Sequence, residues 1–174
     1  MTNEQIGKDD DRWRRASPTG FRTRGMDFVD AGVVLLEAHQ HSLSEQQRLF
    51  RTPPFPVYYN LLHGIELLLK SFLLHTGVTL QNVENRVGHK IDNALNDCLK
   101  RGLLDVCPHL NDTMIGNLRA ISPMYASKEF EYLSVGATHL PHVEDIQDVA
   151  TELVGSLRRL TMATAQPAHT SKGR

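Results

Sequence analysis

Four polar side chains recur every three to four residues inside the longest apolar-rich run of this sequence, residues 58–77: Asn60, His63, Glu66 and Lys70. At about 100° of rotation per residue in a helix, His63, Glu66 and Lys70 lie close together, with Asn60 at the margin of the same face. An imidazole, a carboxylate and an ammonium group in one place can bind a polar ligand or transfer a proton. The spacing therefore predicts a polar site on an otherwise apolar helix.

Glu66 and Lys70 allow two interpretations. Their i,i+4 spacing, with the glutamate nearer the N-terminus, is that of an ordinary surface ion pair, which contributes about 0.2–0.5 kcal/mol. Leu67 and Leu74, however, flank the polar patch and make the helix apolar on nearly all sides. This favours a pair that is partly buried against a neighbouring helix, where charges rarely persist without a structural or functional role. The sequence leaves both open.

His89 follows Gly88 at the expected start of the next helix. It either anchors the preceding loop or contacts Glu66 or Lys70 across the helices. The predicted binding residues are Asn60, His63, Glu66, Lys70 and His89. No catalytic role is assigned, but His89, Lys70 and Glu66 are the candidates for one.

The chain has nine histidines, the residue type that most often binds metal ions in proteins. His63 and Glu66 have the i,i+3 spacing, in reverse order, of the Glu-x-x-His element in di-metal helical bundles, but no second such element occurs. Cys98 and Cys107 lack the spacing of a structural zinc site and are expected in the core. The phosphate-binding loop, the nucleophile elbow and the dinucleotide fingerprint are also missing. We therefore expect no metal and no cofactor.

Composition limits the class of protein. The 174 residues are 40% hydrophobic, which suits one compact domain, and their formal net charge of −1 predicts no strong overall attraction to nucleic acid or to anionic membranes. Two cysteines are too few for a disulfide scaffold, and the chain does not open on a signal peptide. Residues 58–77 are too short and too charged to span a bilayer. A cytoplasmic protein without a membrane partner is expected.

Five helical segments follow one another without a βαβ pattern, which predicts an all-α, antiparallel up-and-down bundle. Pro53, Pro54 and Pro56 should separate the first two segments, Gly77 should cap the second, and Pro123 should end the fourth. The predicted helices cover residues 26–50, 58–77, 88–102, 111–122 and 141–160, and an extended loop is expected over 128–140. The domain should occupy residues 25–163, between a flexible arm (1–24) that carries Trp13 and a disordered tail (164–174).

Two sequence segments together resemble the HEPN superfamily of helical domains. The first is N-L-L-H-G-I-E-L-L-L-K-S-F-L-L-H-T-G (60–77), and the second is G-H-K-I-D-N-A-L-N-D-C-L-K-R-G-L (88–103). In one branch of that family a Glu-x-x-x-Lys helix is followed by a helix that starts at Gly-His. The resemblance implies an up-and-down helical bundle, often a homodimer. Such domains act beside nucleotidyltransferase partners or as RNA-cleaving components of toxin–antitoxin and defence systems.

The chain departs from the ribonucleases of that family, which carry an arginine, four to six residues and then a histidine. Two residues separate Arg86 from His89, and seven separate Arg101 from His109. Four residues separate Lys70 from His75, which fits the family spacing, but the first residue of this pair is lysine and not arginine. The resemblance therefore implies a non-catalytic binding or regulatory component that contacts a nucleotide, RNA or a protein partner.

Two alternatives belong to other classes of function. The first is a metal-independent ribonuclease in which His89 is the base and Lys70 neutralises phosphate charge. The second is a purely structural interaction bundle, which predicts that Glu66 and Lys70 lie fully in solvent.

Overall fold

The apolar run in the middle of the sequence forms helix α2 (Phe55–His75), which is buried on nearly every side. Leucines at successive positions of a helix point in different directions around its axis. A helix this rich in leucine must therefore be covered by other elements on nearly every side. The completely buried members of this run are Leu61, Leu62, Ile65, Leu68, Leu69 and Leu73. Glu66 lies in the middle of them and is 0% exposed.

The computed structural model describes residues 17–42, 55–130 and 140–164, with side chains as far as residue 160. These residues form seven α-helices and one π-helical segment, and none of them is in a strand, so the all-α prediction is confirmed and the predicted number of five helices is wrong. Besides α2, the elements are α1 (Pro18–His41), α3 (Leu80–Asn82), the π segment (Val83–Val87), α4 (Ile91–Leu99), α5 (Leu103–Val106), α6 (Asp112–Ala126) and α7 (Val143–Thr164).

Helix α2 is the central element of the described chain. It contacts α1, α4, α7 and the π segment, while α6 packs on α4 and α7. At its beginning the Tyr58 hydroxyl donates to the Pro141 carbonyl oxygen over 3.0 Å, which ties α2 to the start of α7. At its end Gly77 has φ +87° and Val78 N donates to Leu73 O, so the predicted glycine cap is present.

Helix α1 begins at Pro18, eight residues before the predicted start. The Ser17 hydroxyl accepts from Gly20 N over 3.0 Å and caps the first turn, where proline is tolerated because its missing N–H would have no helical partner. Residues 18–24, which were expected in the N-terminal arm, are therefore helical. The helix ends at His41 and not near residue 50.

Helices α1 and α2 approach so closely that glycine is required on both. A Cβ atom added to Gly64 would lie 2.6 Å from Val29 Cγ2 and 2.8 Å from the Gly25 carbonyl oxygen. A Cβ atom on Gly25 would lie 3.0 Å from the Gly64 carbonyl oxygen. The two backbones are therefore nearly in contact, and Phe28 of α1 is brought against the polar face of α2.

The connection between α2 and α4 is more structured than predicted, since residues 78–88 contain α3 and the π segment. Gly88 has φ 56° and ψ −128°, a backbone conformation that is essentially restricted to glycine. Lys90 is the N-cap of α4, so His89 lies just outside the helix and not in its first turn as predicted. The sharp turn at Gly88 directs the chain back toward α2.

Two further predictions about helix ends are wrong. Residues 103–106, which lie between the predicted helices 88–102 and 111–122, form α5, and α6 continues through Pro123 to Ala126. Proline costs one backbone hydrogen bond but does not end the helix here, because the buried positions Leu118 and Ile121 continue at Tyr125. The additional turn places Tyr125 opposite α2.

Several predictions concern residues outside the described ranges. They are the arm as far as residue 16 with Trp13, the end of the first predicted helix (43–50), most of the extended loop (131–139) and the tail from residue 165. Among the helices that the structure describes, none has the length and apolar character needed to cross a membrane.

We expect Gly64→Ala to lower the free energy of unfolding by about 1–3 kcal/mol, because the added methyl group must separate two packed backbones. The matched control is Gly116→Ala in α6, where no heavy atom lies within 4 Å of the added carbon. That variant should gain about 0.5–1 kcal/mol from helix propensity. Urea unfolding followed by circular dichroism measures both, and equal midpoints for the two variants would contradict the close packing of α1 on α2.

Candidate functional site

The carboxylate of Glu66 is the centre of a buried polar cluster. One of its oxygens, Oε1, lies 2.5 Å from Lys70 Nζ one turn later in α2. The same oxygen lies 3.1 Å from His89 Nδ1, which approaches from the segment before α4. The predicted site residues Glu66, Lys70 and His89 are therefore in direct contact.

The other oxygen of Glu66 binds a residue from α6. The Tyr125 hydroxyl donates to Oε2 over 2.5 Å and lies 2.8 Å from His63 Nδ1. Because a phenol has one hydrogen and Tyr125 gives it to the carboxylate, its oxygen accepts from an Nδ1–H group of His63. His63 Nδ1 is also 3.6 Å from Oε2. We call His63, Glu66, Lys70, His89 and Tyr125 the Glu66 cluster.

Glu66 is ionised in this environment. Burial by itself would raise the pKa of its carboxyl group, but His63, the Lys70 ammonium and the Tyr125 hydroxyl outweigh that effect and lower the pKa from 4.5 to about 2. All these groups favour the charged form, either by hydrogen bonding or by opposite charge. The cluster therefore contains a permanent negative charge in the interior at neutral pH.

Aromatic rings enclose the His63 side of the cluster. The ring of Phe28 meets the imidazole of His63 edge-on, with centroids 4.4 Å apart, and the ring of Tyr59 stacks on it at 5.7 Å. Tyr59 also contacts Tyr125 at 6.3 Å. These contacts hold the imidazole so that Nδ1 faces the Tyr125 hydroxyl.

Exposure increases from one end of the cluster to the other. The side chains of Glu66 and Lys70 are 0% and 10% exposed, that of His63 is 20% exposed, and that of His89 is 75% exposed. With Nδ1 of His89 directed at Glu66, Nε2 on the far edge of the ring faces outward. A carboxylate that binds one imidazole nitrogen fixes the tautomer and orientation of the ring, so that the other nitrogen can accept a hydrogen bond or a proton.

The structure brings together four of the five residues predicted to bind. Asn60 is the exception, since its side-chain amide donates to the Pro56 carbonyl oxygen over 2.7 Å, and no hydrogen bond joins it to the Glu66 cluster in the described part of the chain. The expectation that Glu66 and Lys70 lie in solvent, from the structural alternative, is wrong.

Sequence reasoning missed Tyr125. The signal was present, because Leu118, Ile121 and Tyr125 continue one helical face at intervals of three and four residues. Pro123, however, predicts the end of the helix before this residue. A proline near the last turn removes one backbone hydrogen bond, and burial of the tyrosine ring outweighs that loss.

Metal-binding residue types form no candidate metal site in the described part of the chain. Over residues 17–42, 55–130 and 140–164, no group of three or more His, Cys, Asp and Glu side chains is arranged to hold a metal ion. Cys98 and Cys107 are free and buried, as expected of core residues. Burial raises the pKa of both thiols, that of Cys107 to about 11, so neither is a reactive thiolate at neutral pH.

We expect Tyr125→Phe to lower the free energy of unfolding by about 1–3 kcal/mol, because Glu66 loses a donor and His63 loses an acceptor in a buried site. The control is Tyr59→Phe, which keeps the ring packing and removes a hydroxyl that makes no hydrogen bond within the described residues. That variant should stay within about 0.5 kcal/mol of the wild type. Chemical denaturation at pH 7 measures the free energy of unfolding of both variants. Equal decreases would contradict the hydrogen bonds of the Tyr125 hydroxyl to Glu66 and His63.

Acid should destabilise the protein through Glu66. Above pH 4.5 this carboxyl group is ionised in both the folded and the unfolded chain, so its contribution is complete. As the pH falls from 4.5 toward about 2, only the unfolded chain takes up the proton, and about 3 kcal/mol of stability is lost.

Glu66→Gln should remove this part of the acid dependence. It should also lower stability at pH 7 by about 3 kcal/mol or more, because the buried Lys70 loses its counter-ion. Unfolding free energies measured between pH 2 and pH 7 make the comparison, with Glu37→Gln on the exposed face of α1 as the control that retains the wild-type profile. A Glu66→Gln profile parallel to that of the wild type would contradict the lowered pKa.

The Glu66 cluster thus combines a buried anion, a buried cation and two oriented imidazoles, one of which faces outward. Such a set can bind a polar ligand at its exposed edge or move a proton between the edge and the interior. No protein-family model, no curated protein and no solved structure matches this chain.

Proposed function

We propose that this chain is a HEPN-like, non-catalytic binding or regulatory protein that contacts a nucleotide or RNA through the exposed edge of the Glu66 cluster. The supporting observation is the bond of 3.1 Å between the fully buried Glu66 carboxylate and the imidazole of His89, whose side chain is 75% exposed. The buried carboxylate of Glu66 thus orients the imidazole of His89 at the surface. The resemblance of residues 60–77 and 88–103 supplies the nucleotide or RNA context.

Packing alone does not account for this arrangement. Burying a charge costs on the order of several kcal/mol, and a well-packed apolar side chain of similar volume is often equally stable or more stable. A purely structural bundle gains little from burying Glu66 among leucines. A role in recognition does account for it, because the buried charge of Glu66 orients the exposed imidazole of His89.

Binding is favoured over catalysis because most of the polar groups are occupied inside the cluster. Lys70 is bonded to Glu66, the Tyr125 hydroxyl is directed inward, and His63 Nδ1 faces Tyr125. Cleavage of RNA by acid–base chemistry needs a base, an acid and charge stabilisation on the substrate. Of these groups His89 alone faces outward from the cluster.

A metal-independent ribonuclease is the second candidate, and the orientation of His89 favours it. With Nδ1 bonded to a carboxylate, Nε2 of His89 is placed as a general base would be. The proposed role of Lys70 fits less well, because its side chain is 10% exposed and its ammonium is held by Glu66.

The wider context of the proposal comes from the same resemblance. It comprises an antiparallel helical bundle, a homodimer in the cytoplasm, and a nucleotidyltransferase-type partner in a toxin–antitoxin or defence system. The close packing of α1 on α2 and the central position of α2 are compatible with such a bundle.

We expect the wild-type protein to bind a fluorescein-labelled 20-nucleotide RNA or a fluorescent ATP analogue in an anisotropy titration. His89→Ala should weaken this binding by about tenfold, because the variant removes a directional polar contact at the edge. Glu66→Gln should weaken it too, through loss of the orientation of His89. His109→Ala, at another exposed histidine, should bind as the wild type does.

The same samples distinguish the two candidate functions. RNA incubated with the protein and a chelator should remain intact on a denaturing gel. Cleavage that His89→Ala abolishes would favour the ribonuclease and overturn the non-catalytic proposal. Absence of binding to both probes at high protein concentration would overturn the proposed recognition of nucleotides or RNA.

A further inference from the structure

The ammonium group of Lys70 has unused hydrogen-bonding capacity. A lysine ammonium has three N–H donors. Within the described ranges, Nζ of Lys70 has one acceptor, Glu66 Oε1 at 2.5 Å, and its side chain is 10% exposed. A buried donor without an acceptor lowers the stability of the protein, so buried donors usually have a hydrogen-bond partner. The remaining donors of Lys70 are therefore available to further oxygen acceptors.

Lys70 and His89 lie close enough to bind one group together. Nζ and Nδ1 lie 2.5 Å and 3.1 Å from the same oxygen, Glu66 Oε1, so the two nitrogens are separated by less than the total of these distances. Because Nδ1 of His89 already binds Glu66, a small multi-oxygen group can meet Lys70 at Nζ and His89 at Nε2. Glu66 fixes the position of both side chains. The Nε2 atom of His89 donates to an oxyanion when both ring nitrogens carry a hydrogen, with Nδ1–H donating to Glu66.

Charged residues of both signs lie around His89. Arg86 precedes His89 by three residues and Lys90 follows it, and both are exposed. Arg86 is partly neutralised by Asp97 at 3.5 Å, and Asp97 also lies 3.7 Å from Lys100. Acidic groups are present too, namely the exposed Glu84 and the half-buried Asp92, whose backbone N–H is bonded to Ser122. Lys90, next to His89 in sequence, forms no ion pair with another residue in the described part of the chain.

We propose that Lys70 and His89 form an oxyanion site that takes a phosphate group, with Lys90 at its rim. This inference rests on the proposed function and specifies how the ligand would be held. A lysine ammonium group oriented by a glutamate is a known way to hold phosphate oxygens. The glutamate accepts from one N–H, and the other N–H donors remain available to the phosphate. The phosphate can belong to a free nucleotide or to the backbone of RNA.

Binding is tested by NMR in a phosphate-free buffer. Inorganic phosphate is titrated into the wild-type protein while the Lys70 Cε and His89 Cε1 resonances are followed. Both should shift along one saturable curve. Adenosine monophosphate should give the same shifts, whereas adenosine, which lacks the phosphate, should leave both resonances in place. A labelled RNA displaced by inorganic phosphate would identify the RNA backbone as a source of the group.

Variants separate this site from a nonspecific effect of charge. His89→Ala, at an exposed position, should weaken phosphate binding by about tenfold. The double substitution Glu66→Gln with Lys70→Met removes both charges together, so that no lone charge is left buried, and should abolish the shift of His89. Lys100→Ala should have no effect, because Lys100 lies beside Asp97 and away from the cluster.

The outcomes for the site and for the proposed function differ. If RNA or nucleotide binds but phosphate neither competes nor shifts Lys70 and His89, the oxyanion site is wrong and the proposed function stands. If phosphate shifts both residues but no nucleotide or RNA binds, the site stands and the proposed function falls. Equal phosphate affinity of wild type and His89→Ala would also overturn the site. If the double variant does not fold, the Lys70 and His89 shifts of the wild type still decide the question.

Discussion

One ionised carboxylate in the interior, that of Glu66, imposes the main constraint on this structure. Removing its charge from water costs on the order of several kcal/mol, which must be offset by hydrogen bonds and opposite charge. The compensating groups come from three places in the chain: Lys70 and His63 on α2, His89 before α4, and Tyr125 on α6. Helices that are distant in sequence are therefore bound to one position at the centre of α2.

The close contact of α1 with α2 supports this centre from the other side. Gly25 and Gly64 let the two backbones approach until an added carbon would have no room. The approach brings the ring of Phe28 against His63, which in turn faces Tyr125. A steric requirement between two helices thus helps to orient a polar group in the Glu66 cluster.

The cluster has a rigid interior and an accessible edge. Glu66 and Tyr125 are buried, whereas His89 stands mostly in solvent on a segment shaped by the π segment and the positive φ of Gly88. π-Helical turns often occur at functional sites, where they reposition one side chain at some cost in stability. This irregular backbone lies directly before the exposed imidazole of His89.

The amino-acid sequence by itself determined the features that depend on local spacing. The apolar run predicts α2, Gly77 predicts its end, and the i,i+3 and i,i+4 spacings place His63, Glu66 and Lys70 on one face, because helix geometry alone sets these relations. The helical class was also readable, although short elements such as α3 and α5 were not, since isolated turns carry too little periodic signal.

Only the tertiary structure decided which distant groups meet Glu66. Tyr125 joins the cluster because burial of its ring carries α6 past Pro123. Asn60 stays outside because its amide is bonded to its own helix. His89 reaches Glu66 because Gly88 turns the chain, although it lies outside α4. Each of these outcomes depends on packing between elements far apart in sequence, and local spacing contains no information about that packing.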